Sequence, residues 1–309
     1  MIQANEAFGD AADDGGGGIF NNGGDVVVNG TVSTVQIVGN MAYGTLGSGG
    51  GIFSNGGLVT ILRTSIIGNE AERAGGGIEV AASTAGTRLR IADSTISSNS
   101  ALGTETAPGN GGGIHLSGAV RALLVNSTVS GNLAAQDGGG IWSQLSGDER
   151  LIITNSTISR NKALRSGGGI WTDAPTSDGE SAAVLSNSIV AQNRANVSAP
   201  DIRRFGTLVA FTTLIGNGTF SGLAADADGD EDGNLIGSSA SVINARLGGL
   251  QDNGGPTASH LLLAGSPAIN RGKNSRAVSI VGDPLTTDQR GPGFVRIKDG
   301  IVDMGSIES

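Results

Sequence analysis

The chain has 309 residues, with 54 Gly, 15% charged and 3% aromatic residues, and a formal net charge of −9. So few large rings exclude an ordinary globular core, whereas 38% apolar content suits thin aliphatic layers joined by tight turns. The acidic balance, with no run of Lys and Arg in the sequence, argues against a nucleic-acid partner, and the lack of cysteine excludes disulfides and thiolate metal sites.

Residues 1–15 form an N-terminal segment. "MIQANEAFGDAADD" has neither a basic nor an apolar region of the kind a signal peptide needs, and no later apolar run is long enough to span a membrane. The chain as given is expected to be soluble.

Residues 16–220 are repetitive. A Gly-Gly-Gly-Ile phrase starts at Gly16, Gly49, Gly75, Gly111, Gly138 and Gly167, with spacings of 33, 26, 36, 27 and 29. A second phrase ends at Asn40, Asn69, Asn99, Asn132, Asn161, Asn193 and Asn217. Three residues before each of these stands an aliphatic: Ile37, Ile66, Ile96, Val129, Ile158, Val190 and Leu214. Six residues before stand Asp93, Asn126, Asn155 and Asn187 in four of the middle units. Segments such as "LIITN" and "STIS" read as short alternating strands separated by one bend residue, and no segment has helical spacing. A unit of about thirty residues with short strands predicts one coil of a right-handed parallel β-helix, because only stacking on the next coil buries its aliphatic residues. Seven coils are expected, with aliphatic columns inside and asparagines stacked at bends. The glycine triplets then mark a crowded corner that needs positive φ. A phosphate-binding loop is excluded, since no Lys-Ser/Thr and no helix follow any triplet.

The residue after each Gly-Gly-Gly-Ile forms a column: Phe20, Phe53, Glu79, His115, Trp142 and Trp171. Two positions on, the series ends at Asp173. Three readings stay open for this column. Its rings cover the glycine corner; or Trp142 and Trp171 form a platform on which sugar rings stack; or Glu79, His115 and Asp173 perform acid–base chemistry on a polysaccharide. The pairs Thr95/Ser97, Thr128/Ser130 and Thr157/Ser159 face outward and are expected to form a polar solvent face, with a regular ice-binding ladder as a remote reading.

Residues 221–309 hold an acidic loop and an irregular C-terminal module. In "DADGDEDGNLIGSS", Asp228, Asp230 and Asp232 followed by Gly233 match the first half of a calcium loop, but Ser239 replaces the bidentate Glu at position twelve. Calcium is the one cofactor the sequence suggests, against a solvated acidic loop; none is required. His260 has no second histidine near it and reads as structural. Arg290, Asp303 and Glu308 are expected to form ion pairs in a segment that caps the open end of the rod.

These phrases carry a resemblance. "GGGI" with its aromatic and "NSTISxN" resemble the repeats of bacterial right-handed parallel β-helix proteins, and are similar to the repeats of chlamydial polymorphic membrane proteins. Residues 235–308, from "LIGSSASVINARLGGLQDNGGPTASHLLLAGSPAINRG" to "TDQRGPGFVRIKDGIVDMGSIE", look like a choice-of-anchor Q domain. The resemblance implies a bacterial protein that is secreted or held at the cell surface. It departs from the pattern in lacking a signal peptide, in keeping only Ile2 to Asn5 of a leading segment, and in stopping at Ser309 before a sorting signal, so it reads as a trimmed passenger. Polygalacturonases share the fold but need Asn-Thr-Asp, Asp-Asp, Gly-His-Gly and Arg-Ile-Lys in order. Here Asp13-Asp14 precedes the first coil, and Arg296 to Lys298 lie in the terminal module, so the match is chance.

The sequence thus predicts an all-β, single-stranded right-handed parallel β-helix of the pectate-lyase-like kind with an irregular C-terminal cap. The expected role is an adhesin-like surface scaffold without enzymatic activity, with a glycan or cell-surface partner. The alternative is a carbohydrate-binding or polysaccharide-degrading protein that uses the face after the glycine corners.

Overall fold

The computed structural model describes residues 1–11, 14–30, 34–173 and 183–309, so Asp13 lies outside the described residues. Among the described residues the strands form three parallel sheets of nine, seven and twelve strands and one antiparallel pair, Leu247–Gln251 with Ser259–Leu262. The first passes through Thr95–Ser97, Thr128–Ser130 and Thr157–Ser159, and the second through Ser100–Ala101, Leu133–Ala134 and Lys162–Ala163. The third begins at the aliphatic after each glycine triplet, as in Ile78–Ala92 and Ile114–Val125. The result is a right-handed parallel β-helix of about six turns, against the seven coils expected from the spacings.

Three sheets follow from three corners per coil, each made by a residue in the left-handed region. Asn126, Asn155 and Asn187 (φ 52°, 47° and 47°) turn the chain into the first sheet. Gly131, Arg160 and Gln192 (φ 67°, 59° and 63°) turn it into the second, and Gly111, Gly138 and Gly167 (φ 66°, 69° and 65°) into the third. Asparagine and glycine tolerate this conformation better than other residues, which explains why they recur there.

The core is a stack of aliphatic columns. Ile37, Ile66, Ile96, Val129, Ile158 and Val190 are fully buried in it, and the column continues to Ile215, not to Leu214 as the spacing suggested. Leu214 pairs with Ile189 and faces outward into a second, smaller core.

Two polar ladders run alongside. Each ladder asparagine donates from Nδ2 to Oδ1 of the equivalent residue one coil on, from Asn5 through Asn40, Asn69, Asn99, Asn132 and Asn161 to Asn193, at 2.8–2.9 Å. The third glycine of each triplet lies against this ladder. A Cβ at Gly140 would come within 3.0 Å of the Asn161 amide and 2.6 Å of the Gly169 carbonyl. The second ladder is made by serine. The N–H of Ser94, Ser127 and Ser156 donates to the hydroxyl of Ser127, Ser156 and Ser188 in turn. Asn126, Asn155 and Asn187 stand at their bend as expected, and Asn126 Nδ2 donates to Asp93 Oδ1 at 2.6 Å. Their first requirement is the left-handed backbone, and only short runs of them touch, such as Asn187 Nδ2 to Asn155 Oδ1 at 3.2 Å.

The asparagine ladder does not end on Asn217. Where the last triplet would stand, the chain reads Ala199-Pro200-Asp201, with Ala199 at φ 54° and Ile202 in register with Ile170. Asp201 therefore occupies the third-glycine position. Its Oδ1 accepts from Asn193 Nδ2 at 2.8 Å and its Oδ2 from Asn217 N at 2.6 Å, so a carboxylate caps the ladder. Burial raises its pKa to about 6, against the lowering effect of these hydrogen bonds.

The segment of Arg290, Asp303 and Glu308 does not close the end of the rod as expected but lies along its side, with Gln289 on Thr95 and Thr128 and Ser306 on Thr157. Leu235–Ile236 adds a last rung beyond Leu214–Ile215, and Leu223 packs onto the main core. From Ala245 onward the chain runs along the flank of the first sheet. Thr95 and Thr128 hydroxyls donate to the Ala258 carbonyl (2.5 Å) and Gln289 Oε1 (2.6 Å), Ser130 Oγ meets His260 Nε2 at 2.8 Å, and Ser306 N donates to Thr157 Oγ1 at 3.1 Å. The Thr-x-Ser pairs are consequently buried, which overturns their reading as a solvent face and removes the ice-binding alternative. Beyond them the same outward positions turn apolar, with Ile189, Ala191 and Leu214 packed against Ala245, Leu247, Ala268 and Met304.

Arg290 pairs with Asp288 at 2.5 Å and donates to the main-chain oxygen of Glu308, in place of the ion pairs expected with Asp303 and Glu308. Arg296, from the chance "RIK" match, is fully buried between rod and module. Its Nη2 donates to Asn155 Oδ1 and to the carbonyls of Asp303 and Gly305.

Candidate functional site

The column after the glycine corners is where chemistry-bearing side chains recur, and the third sheet sets its register. Phe20, Phe53, Glu79, His115, Trp142, Trp171 and Arg203 follow one another on successive rungs. Residues 78 and 80 point into the core, so residue 79 and its equivalents point out. Each outward side chain folds back over its own corner. A Cβ on Gly138 would lie 2.6 Å from Trp142 Cβ, and one on Gly111 would lie 2.8 Å from His115 Cβ. Glycine at the corner is what lets a large ring sit there.

The rings stack on each other. His115 lies flat on Trp142 with centroids 4.3 Å apart and planes 1° from parallel, and Trp142 lies on Trp171 at 4.9 Å and 7°. Trp142 is 8% exposed, since both faces of its indole are covered, while Trp171 is half-buried. A sugar stacking on Trp142 would have to displace a protein ring. Beyond Trp171 the column opens. Phe205, 56% exposed, lies 5.4 Å from Trp171, and the Arg203 guanidinium sits over both Phe205 (4.6 Å) and Phe220 (4.9 Å).

Of the acid–base candidates, two are brought together and one is not. Glu79 and His115 are neighbours across one rung, with Oε1 3.4 Å from Nδ1, and Arg73 Nη2 approaches the same oxygen at 2.5 Å. Burial alone would raise the Glu79 pKa, but His115 and Arg73 outweigh it and hold the carboxyl below its ordinary value. A group held ionised by a cation is poorly suited to deliver a proton. Asp173 pairs in register with Gln144, two rungs past Ala81, the residue that follows Glu79 by two. At about 4.8 Å per rung, roughly 14 Å of sheet separates it from the Glu79 rung.

The acidic loop does not converge on a cation. Asp230 Oδ1 accepts from Asp232 N (3.0 Å) and Asn234 N (2.8 Å), and its Oδ2 accepts from Asn234 Nδ2. Asp228 and Asp232 are exposed, and among the described residues no three His, Asp or Glu side chains gather as a metal site. The donor set that calcium would need is not assembled, because the loop's best-placed carboxylate is spent on turning the backbone.

His260 joins module to rod, with Nδ1 2.8 Å from the Gly248 carbonyl and Nε2 2.8 Å from Ser130 Oγ. Burial lowers its pKa to about 4. Two residues escaped sequence reasoning. Asp201 was masked by the loss of glycine at its corner, and Arg203 by the same lapse in the repeat, although Ile202 held the register in view. No family model, curated protein or solved structure matches the chain.

Proposed function

We propose that this chain is an exported β-helix scaffold of the cell surface, adhesin-like and without catalytic activity, and that residues 235–308 are a choice-of-anchor-Q-like module. The observation that carries the reading is the filled outward column. Its rings are stacked on each other and on their glycine corners, Glu79 is neutralised by Arg73, and Asp173 stands three rungs away. Such a column stiffens a rod and leaves its one acid–base pair, Glu79 and His115, buried and tied to Arg73. Protease shaving of intact source cells, followed by mass spectrometry of the released peptides, tests the location. Peptides from residues 34–173 are expected in the shaved fraction, and their confinement to the cytosol would end the reading.

A second reading, a glycan-binding or polysaccharide-degrading face, is supported by the open end of the column at Trp171, Arg203, Phe205 and Phe220. A neutral-glycan array probed with the wild type and Trp171→Ala separates the two. Signals lost in the variant favour this face, and an array with no signals removes it.

A further inference from the structure

The 19 basic residues are scattered in the sequence, yet the fold gathers four of them around two adjoining clefts. A cleft of about 640 Å³ is lined by Arg160, Lys162, Gln192, Asn193 and Arg194. A second of about 370 Å³ shares Gln192 and is bounded by Arg246, with Leu247 and Leu263 beside it. The first three cations come from two successive coils of the rod, and Arg246 comes from the module. Among the described residues, no carboxylate lines either cleft.

Lys162 and Arg194 are paired in register on adjacent rungs of the second sheet, about 4.8 Å apart at the backbone. Like charges side by side on a sheet are destabilising. Neither has an ion-pair partner among the described residues, and both are exposed. Arg160 and Arg246 are held differently. Arg160 Nη2 donates to the carbonyls of Leu247 and Gly248, and Arg246 Nη1 donates to that of Ala264. Carbonyls fix the direction of a guanidinium without cancelling its charge. The outward positions of this sheet also grade from acidic to basic, through Glu70, Ser100 and Leu133 to Lys162 and Arg194.

We propose that these adjoining clefts, one on the rod and one where rod meets module, together bind an acidic polysaccharide whose carboxylates recur along the chain, of the polyuronate class. The rung spacing is close to the length of one sugar ring, so cations and carboxylates recur on a common length scale. The oriented guanidinium of Arg160 offers remaining N–H groups to a carboxylate fork, and Gln192 offers an amide to ring hydroxyls. A nucleic acid would meet the same cations, but none of the lining residues is an aromatic ring on which a base could stack. The site is separate from the glycine-corner column, and it stands or falls independently of where the protein is located.

Calorimetric titration of the full chain at low salt tests the proposal. The probes are octagalacturonate, malto-octaose and a single-stranded oligonucleotide of similar length. Octagalacturonate is expected to bind, more weakly as salt rises, and malto-octaose is not. The double variant Lys162→Gln/Arg194→Gln should weaken binding about tenfold or more with an unchanged or higher melting temperature, since it relieves a like-charge pair. Arg88→Gln/Arg121→Gln removes an equal charge from another in-register pair, on the third sheet, and should leave the affinity within about twofold. Absence of octagalacturonate binding, equal loss in both double variants, equal binding of malto-octaose or tighter binding of the oligonucleotide would each overturn the proposal.

Discussion

Replacing Asn132 by alanine removes one member from the middle of the asparagine ladder. Its Oδ1 accepts from Asn99 N (3.0 Å) and Asn99 Nδ2 (2.9 Å), while its Nδ2 donates to the Ile96 carbonyl (3.0 Å) and Asn161 Oδ1 (2.8 Å). The residue is 1% exposed, so water cannot take over these bonds. Asn161 Oδ1 would keep the backbone N–H of residue 132, at 3.0 Å. The Asn99 N–H and one Asn99 amide hydrogen would be left bare. At about 1–3 kcal/mol for each orphaned buried group, the two stranded donors alone cost about 4 kcal/mol. Asn5, exposed at the first rung, receives no bond from a preceding coil, and Asn5→Ala should lose less than about 1 kcal/mol. Urea unfolding followed by fluorescence of Trp142 and Trp171 measures both. An Asn132→Ala loss below about 1 kcal/mol, or one equal to that of Asn5→Ala, would refute the view that the ladder is a structural spine.

The stacked rings and the buried ionisable groups give two more expectations. Trp142→Ala should destabilise the rod by about 3–5 kcal/mol, because the ring is covered on both faces, whereas Trp171→Ala should cost visibly less; equal melting temperatures for the two variants would contradict the stacking account. The stability–pH profile should contain opposing components. Asp201, raised from 3.8 to about 6, and Glu308, raised from 4.5 to about 7, contribute stability that is full below their unfolded values and lost as pH rises through the folded ones. His260, lowered from 6.5 to about 4, contributes stability present above 6.5 and lost as pH falls through 4. His260→Asn should therefore gain stability steadily from pH 8 to pH 4, and Asp201→Asn/Glu308→Gln should lose it over the same window. Melting curves across that range decide, and parallel profiles for the two variants would show that these groups are not the ones titrating.

The coil itself was legible because its constraints repeat. Ladder asparagines, corner glycines and inward isoleucines answer the same steric demand on every turn, so they align at a period near thirty. The reading slipped where a turn departs from that period. Asn217 follows the inward Ile215 by two residues, not three, so it falls outside the ladder, and Asp201 takes its place from a glycine position. Alternation could show that Thr128 and Ser130 point away from the barrel, but not that they are covered. The cover is an aperiodic segment whose contacts, such as His260 to Ser130 and Gln289 to Thr128, span well over a hundred residues. Glu79 and His115 were visible as column neighbours. Arg73, which neutralises Glu79, stands outside that column, two residues before its glycine triplet, and reaches Glu79 only once the corner is folded. The cation cleft was invisible for the same reason: Arg160, Lys162, Arg194 and Arg246 become neighbours only when coils stack and the module folds back.

The claim that the glycine-corner column is packing and not a catalytic groove can be met head-on. Purified protein is incubated with pectic, uronic and neutral polysaccharides, and new reducing ends and unsaturated products are counted over time. No turnover above the buffer blank is expected, from the wild type or from Glu79→Gln. Release of ends by the wild type that disappears in Glu79→Gln, while that variant keeps its melting temperature, would contradict the account.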